Sequence, residues 1–173
     1  MKLTLPLTKE KVEVLKVGDV IHLTGTIYTA RDAAHARLVE WIREEKKLPF
    51  DLQDSVIYYV GPTPTKPGAI IGSAGPTTSY RMDSYTPILL DLGLKGMIGK
   101  GERSDAVVCS MKKNGAVYLA AVGGAGALLA QHIKKSEVIA FEDLGAEAIH
   151  RLDVEEFPVI VAIDCRGESL FAR

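Results

Sequence analysis

Cysteine is scarce in this sequence, with two residues among 173, Cys109 and Cys165. They lie far apart and lack the spacing of metal ligands, so they cannot form a four-cysteine zinc site or hold an iron–sulfur cluster unaided. The pattern is typical of a reducing compartment. We predict that both are reduced, buried and structural.

An excess of either charge is also missing. Lys and Arg together number 21 against 22 Asp and Glu, which gives a formal net charge of -1 and a pI near 6.4. Tracking a phosphate backbone requires a reserve of cations that this composition does not supply. The composition therefore argues against nucleic-acid binding.

Long apolar runs are absent as well. No stretch of the sequence approaches the roughly 18 apolar residues that a membrane-spanning helix requires. The first 20 residues are broken by Pro6 and by the charged run from Lys9 to Glu13, unlike a secretory leader. We predict a soluble, cytoplasmic protein with no membrane partner.

The sequence does contain β-branched runs that alternate with helical periodicity. Strands are predicted within 1–18 and at 20–29, 56–60, 69–73, 97–98, 117–122, 138–141, 149–154 and 159–163. Helices are predicted over 31–47, from a cap at 77–79 to Gly93, over 104–114 and over 125–134. The length suits one core, so we predict a single mixed α/β domain over 1–173.

The first of three candidate loops follows the strand 20–29. Open α/β sheets usually bind ligands at such strand ends. Arg31 and His35 are four residues apart at the start of a helix, so both can face one side. With the helix N-terminus they would form a positive site for a carboxylate. The alternative is a surface pairing of Arg31 with Asp32 and a solvated His35.

The other two loops carry hydroxyls and further cations. Residues 72–81 combine small residues, three consecutive hydroxyl side chains and Arg81, one helical turn beyond Thr77. An oxyanion would fit there, although a helix N-cap with an exposed arginine has the same pattern. Lys100 lies between two glycines and is free to reach a substrate, but a surface turn would look the same.

A glycine-rich turn imitates a nucleotide site. The strand 117–122 leads into Gly123-Gly124-Ala125-Gly126, then a helix, then a strand that ends near Glu142. That order is typical of a dinucleotide-binding unit. Leu129 stands where the third glycine is needed, and the helix is short for a crossover. A regulatory nucleotide-binding domain at 123–126 therefore stays as the weaker alternative.

The loops occur in the order found in one family. The shared motifs are Thr29 to His35, Gly61-Pro62-Thr63-Pro64, Gly72 to Asp83 and Gly99-Lys100-Gly101. Over about residues 12–163 the chain resembles the β subunit, or C-terminal domain, of class I iron–sulfur fumarate hydratases and the related L-tartrate dehydratases. The resemblance implies a three-layer β/β/α swivelling-type domain with a mixed sheet.

The resemblance also implies an activity. The expected protein is a hydro-lyase that interconverts fumarate and L-malate, a step of the tricarboxylic acid cycle. The chain would be active only with its α subunit. A [4Fe–4S] cluster would be held by that α subunit and not by this chain. The other expected partner is a small dicarboxylate substrate, and self-association of the isolated chain stays open. The alternative within the family is the β subunit of an L-tartrate dehydratase.

Seven residues stand at the motif positions of that family, namely Arg31, His35, Thr77, Thr78, Arg81, Asp83 and Lys100. The resemblance implies that the two arginines and the lysine hold the substrate carboxylates, with Thr78 as a further contact. Thr77 would exchange the proton at C3, and Lys100 would stabilise the charge that develops. His35 and Asp83 would support these residues from behind.

Overall fold

The computed structural model describes residues 1–121 and 126–171. The strands are β1 (Lys2–Thr4), β2 (Val20–Thr29), β3 (Val56–Tyr58), β4 (Gly96–Gly99), β5 (Val117–Ala121), β6 (Ile133–Ala140) and β7 (Ile149–Ile163). The α-helices are α1 (Lys9–Glu13), α2 (Asp32–Arg43), α3 (Thr86–Asp91), α4 (Asp105–Asn114) and α5 (Gly126–Ala130). Ser79–Met82 and Glu142–Glu147 form 3₁₀ helices. The prediction of a mixed α/β fold is confirmed.

The described strands form one mixed sheet in the order β1-β2-β3-β4-β5-β7-β6. Strands β1 to β5 pair in parallel with their neighbours, whereas β7 runs antiparallel to β2, β5 and β6. Because β2 also pairs with β7, the pairings β2-β3-β4-β5-β7 close into a ring. Because β2, β3 and β4 pair in parallel, their carboxyl ends lie side by side at one edge.

Alternate strand residues enter two apolar clusters. One cluster contains Tyr58, Ile98 and buried residues of β2, β5 and β7. The other contains Tyr59, Met97 and the buried sides of α2, α3 and α4. Successive side chains of a strand point to opposite faces, so the sheet is covered on both sides. The swivelling behaviour and the three-layer order stay predictions.

The predicted strand at 69–73 is wrong, because those residues form turns and irregular loop. The segment is crowded with prolines at 62, 64, 67 and 76, each of which lacks the N–H that a ladder needs. The Ala69 N–H instead donates to the Lys66 carbonyl at 3.0 Å. The chain between β3 and Thr77 is thus one long loop that delivers Thr77 to the sheet edge.

The predicted helix from 77–79 to Gly93 is divided. Its first part is the 3₁₀ helix Ser79–Met82, which begins at Thr78 without a side-chain cap. Its second part is α3, with a proline in its first turn. Proline favours the first turn of a helix and disfavours its interior, so Pro87 interrupts the predicted helix and α3 begins there.

Three further differences between prediction and structure concern residues 9–13, 149–163 and 125–134. Residues 9–13, predicted within short strands, form α1, which begins at the N-cap Thr8. The two strands predicted at 149–154 and 159–163 are one strand, β7. The helix predicted over 125–134 is limited to α5, and β6 already begins at Ile133. Among the residues with described structure, no helix is long and apolar enough to cross a membrane.

Candidate functional site at the strand ends

Backbone hydrogen bonds join the segments that follow the parallel strands. The Ala30 N–H donates to the Tyr58 carbonyl at 3.1 Å, and the Thr77 N–H donates to the Tyr59 carbonyl at 2.7 Å. The start of the first candidate loop and the end of the second therefore both lie against the end of β3. This is the sheet edge at which the sequence predicts a site.

Lys100 is joined to the second candidate loop. Thr78 and Lys100 form an isolated parallel bridge, and the Ser79 N–H donates to the Lys100 carbonyl at 2.9 Å. A Cβ at Gly99 would overlap the Ser79 hydroxyl, so close packing requires the glycine before the lysine. The Lys100 side chain is exposed at this edge.

Asp32 lies between two arginines from different loops. Its Oδ2 is 2.9 Å from Arg81 Nε, and its Oδ1 is 3.8 Å from Arg31 Nε. Gly61, from the Gly61-Pro62-Thr63-Pro64 motif, lies against the same place, since a Cβ there would come within 3.1 Å of Arg31 Nη1. The fold therefore brings Arg31 and Arg81 together, and Gly61 makes room for one of them.

The Nη groups of Arg31 and Arg81 donate no hydrogen bond within the described part of the chain. Within 1–121 and 126–171 neither side chain donates a hydrogen bond of regular geometry, and Arg31 Nε is buried without a partner. Other arginines serve the fold. Arg37 makes a bidentate pair with Asp143 at 2.7 and 2.8 Å, and Arg166 donates to backbone carbonyls. Unused guanidinium donors at this edge are suited to carboxylates.

His35 is fully buried behind Arg31. Its Nδ1 lies 2.8 Å from the Arg31 carbonyl, which can only accept, so Nδ1 carries the proton. Burial lowers the pKa of His35 to about 4, so the ring is neutral at pH 7. His35 thus supports the backbone of Arg31, and the alternative of a solvated His35 is wrong.

The N-terminus of α2 already carries carboxylates. Glu147 Oε1 accepts the Ala33 N–H at 3.1 Å, and Asp32 lies in the first turn of the helix. Both groups offset the positive end of the helix dipole. The positive charge at this place therefore resides on the side chains of Arg31 and Arg81 and not on the helix end.

Arg103, which the sequence patterns do not single out, lies beneath the site. Its side chain is 0% exposed, and its Nε donates to Asp83 Oδ1 at 2.7 Å. Its Nη2 donates to the hydroxyls of Thr86 at 2.9 Å and Tyr59 at 3.2 Å. Asp83 also accepts the Ser104 N–H at 2.8 Å, so it ties its own segment to the loop after β4.

Tyr118 makes a second connection between these loops. Its hydroxyl donates to the Gly101 carbonyl at 2.8 Å and lies 2.7 Å from Ser79 Oγ. Burial raises the pKa of Tyr118 to about 12, so the hydroxyl keeps its proton near neutral pH. In the sequence, Tyr118 looks like an ordinary strand residue. Arg103 stands just before α4, where an arginine is commonly exposed. Only the packing shows that both support the site.

The glycine-rich turn falls largely outside the described residues, since 122–125 are not among them. The strands around it are described. β5 pairs with residues 159–163 of β7 and β6 with residues 149–154, so β5 and β6 follow one another along the same edge. A dinucleotide-binding unit needs its two strands side by side in a parallel sheet. The arrangement therefore does not favour the nucleotide-binding alternative.

The cysteines do not contribute to a metal centre. Within the described part of the chain, no group of three or more His, Cys, Asp or Glu side chains is placed to hold a metal ion. Cys109 is exposed and Cys165 is partly buried, so the prediction that both are buried is wrong. An iron–sulfur cluster is held by several cysteine thiolates. The described residues of this chain do not fit such a cluster.

Comparison with known proteins gives matches over most of the chain. One relative, a protein of Methanocaldococcus jannaschii with the provisional name L(+)-tartrate dehydratase subunit beta, is 42% identical over 171 residues. The match covers 95% of this chain and 88% of that protein. The anaerobic class I fumarate hydratase of Escherichia coli is 45% identical over 159 residues, and fumarate hydratase 2 of Leishmania major is 38% identical over 167 residues.

The relatives differ in how much of their own length is matched. The matches to the two fumarate hydratases cover 91% and 95% of this chain but 29% of each enzyme. The chain is therefore similar to less than a third of those proteins, and to nearly all of the tartrate dehydratase subunit. A family model described as the Fumarase C-terminus matches residues 1–173. With that match over its whole length, the chain belongs to the Fumarase C-terminus family.

Proposed function

We propose that this chain is the β subunit of a two-chain hydro-lyase that reversibly adds water to fumarate to give L-malate. The observation that carries the proposal is that Arg31 and Arg81 meet at one sheet edge, and that their Nη groups donate no hydrogen bond in the described part of the chain. A dicarboxylate requires about two positive charges, and guanidinium groups bind carboxylates through paired N–H bonds.

The exposure of the cations agrees with ligand binding. The Arg31 side chain is 25% exposed and that of Arg81 is 45% exposed, so each side chain is partly covered by the fold and partly open to a ligand. Lys100 is exposed on the neighbouring loop and adds a compact charge. When the C3 proton of malate leaves, negative charge spreads onto the adjacent carboxylate, and Lys100 is the group proposed to stabilise it.

Thr77 is the group proposed to exchange that proton. Its hydroxyl is a weak acid, so it needs a neighbouring cation or a carboxylate of the partner chain to take part in proton transfer. The Thr77 N–H is held by the Tyr59 carbonyl, and Thr78 is bridged to Lys100. Both threonines therefore stand on backbone that the sheet edge supports, and Thr78 is proposed as a further substrate contact.

A second chain is part of the proposal. This chain matches 29% of each fumarate hydratase above and 88% of a relative whose name includes the word subunit. Its described residues do not fit an iron–sulfur cluster. We therefore expect the [4Fe–4S] cluster implied by the family resemblance to be held by the α subunit, with this chain supplying the cations that bind the dicarboxylate.

Reconstitution tests the proposal. The chain is purified with its co-expressed α subunit, the cluster is rebuilt anaerobically, and the loss of fumarate is followed by absorbance. We expect the wild-type complex to be active and Arg81→Ala to lower kcat/KM by about 30-fold, equivalent to about 2 kcal/mol for a lost charge-assisted contact. Arg43→Ala, at the exposed end of α2, is the control and should leave kcat/KM unchanged. Inactivity of a cluster-loaded wild-type complex towards both fumarate and tartrate would reject the proposal.

L-tartrate dehydratase is the second candidate. The M. jannaschii protein favours it, because its name includes tartrate dehydratase and the 42% identity covers 95% of this chain and 88% of that protein. Tartrate carries one more hydroxyl than malate, and a site that hydrogen-bonds this hydroxyl discriminates strongly against a substrate without it. The ratio of kcat/KM for L-tartrate and L-malate on the same assembled complex decides between the two substrates.

A further inference from the structure

Asp32 contacts both arginines that are proposed to bind substrate. Its carboxylate approaches Arg81 Nε at 2.9 Å through Oδ2 and Arg31 Nε at 3.8 Å through Oδ1. The two guanidiniums come from separate elements, one from the start of α2 and one from the 3₁₀ helix Ser79–Met82. Without a negative group between them, their mutual repulsion would drive the more exposed Arg81 side chain towards solvent.

The way Asp32 approaches Arg81 differs from two other arginine–aspartate pairs of the described structure. Arg37 gives two aligned hydrogen bonds to Asp143, and Arg103 gives its Nε hydrogen to Asp83. Asp32 approaches Arg81 at its Nε, and in the described residues the Nη groups of Arg81 donate no hydrogen bond. The attraction therefore restrains the guanidinium through Nε, while the Nη donors stay available for a ligand.

The backbone beneath Asp32 is firmly held. The Arg31 carbonyl receives both the His35 N–H at 2.9 Å and the His35 ring nitrogen at 2.8 Å. On the other side of Asp32, the Ala33 N–H donates to Glu147. Asp32 thus belongs to the rigid start of α2, and Arg81 belongs to a short 3₁₀ helix. A fixed carboxylate next to a long flexible side chain can act as its anchor.

We infer that Asp32 is a positioning residue, whose carboxylate holds the guanidinium of Arg81 beside that of Arg31 in the arrangement that binds the dicarboxylate. The inference rests on the proposed function. It makes a prediction opposite to that of simple electrostatics, because a negative charge near a binding site for a dianion should repel the substrate. If Asp32 only repels, its neutralisation lowers KM, and if it positions Arg81, its neutralisation raises KM.

The test is Asp32→Asn in the reconstituted two-chain enzyme, which removes the charge and keeps the shape. We expect KM for the dicarboxylate to rise on the order of tenfold and kcat to change less, since a misplaced binding group weakens substrate binding. Asp143→Asn is the matched control, because it removes the charge of another aspartate paired with an arginine and should leave KM unchanged. If Asp32→Asn does not fold, Asp32→Ser carries the same expectation.

A double-mutant cycle shows whether Asp32 acts through Arg81. In an Arg81→Ala background, Asp32→Asn should raise KM by no more than about twofold, because the group that it positions is absent. A KM that falls or stays constant in Asp32→Asn, or the same rise in both backgrounds, would overturn the inference while the proposed function stands. Inactivity of the cluster-loaded wild-type complex would overturn the proposed function and this inference with it.

Discussion

Asp83→Asn should strongly destabilise the chain, because it neutralises one half of a buried ion pair beneath the site. The Arg103 side chain is 0% exposed and that of Asp83 is 13% exposed, and they meet at 2.7 Å. Asparagine keeps the volume but removes the charge. The amide has one acceptor oxygen where the carboxylate has two, so it cannot accept from both Arg103 Nε and the Ser104 N–H, and one of these two hydrogen bonds is lost.

The size of the effect follows from the burial of Arg103. Its remaining contacts in the described structure are the hydroxyls of Thr86 and Tyr59, the sulfur of Met97 and two aromatic rings, and none of these groups is a carboxylate. Leaving a buried charge without its partner costs about 3–5 kcal/mol. For a domain of this size such a loss lowers the unfolding midpoint by on the order of 10 °C.

Urea denaturation of the purified chain measures this loss, as a shift in midpoint at constant slope. Asp143→Asn is again the control, because Asp143 also binds an arginine in a close pair but is 65% exposed. Solvent screens such a pair, and we expect no resolvable shift in its midpoint. The reasoning is refuted if Asp83→Asn shifts the midpoint no more than Asp143→Asn does.

Two further predictions concern buried polar groups. Burial lowers the pKa of His35 to about 4, below its usual value of 6.5, so as the pH falls the unfolded chain takes up a proton on this ring before the folded chain does. The contribution of His35 to the free energy of unfolding is therefore complete above pH 6.5. It falls by about 3 kcal/mol as the pH drops to 4. Urea midpoints at several pH values should therefore decline less steeply for His35→Gln than for the wild type, and parallel profiles would contradict the assignment. Tyr118→Phe removes the hydroxyl that joins Gly101 to Ser79 and should cost about 1–2 kcal/mol in the same assay. An unchanged midpoint would show that this hydroxyl does not fasten the two loops.

Local sequence signals predicted the elements whose own residues decide their structure. α4 begins after Ser104, whose hydroxyl accepts the Val107 N–H, and it is followed by Gly115 in the left-handed region. The β-branched run of β2 and the apolar period of α2 were predicted in the same way. The apolar run at 69–73 has similar composition to a strand, but it forms loop, and the prolines on both sides of it disfavour a strand.

The candidate site shows the same division. Strand ends and loop composition marked Arg31, Arg81 and Lys100 as candidates beside ordinary surface alternatives, because ligands often bind at the carboxyl ends of strands, and the family resemblance supplied their predicted roles. Spacing did not reveal that the N-terminus of α2 is capped by Glu147, more than one hundred residues away in the chain. The buried pair of Arg103 and Asp83 was likewise invisible, since a charged residue in a loop is usually solvated.

By itself, the sequence determined the alternation of strands and helices, the position of the three cation-bearing loops and the scarcity of thiols that leaves this chain without a cluster ligand set. Those properties depend on residue type and on residues that are close together in the sequence. Only the tertiary structure decided that Asp32 stands between Arg31 and Arg81, and that Arg103 lies beneath both loops. Such contacts join residues far apart in the chain, and they form because β2, β3 and β4 pair in parallel, which brings their carboxyl ends to one edge.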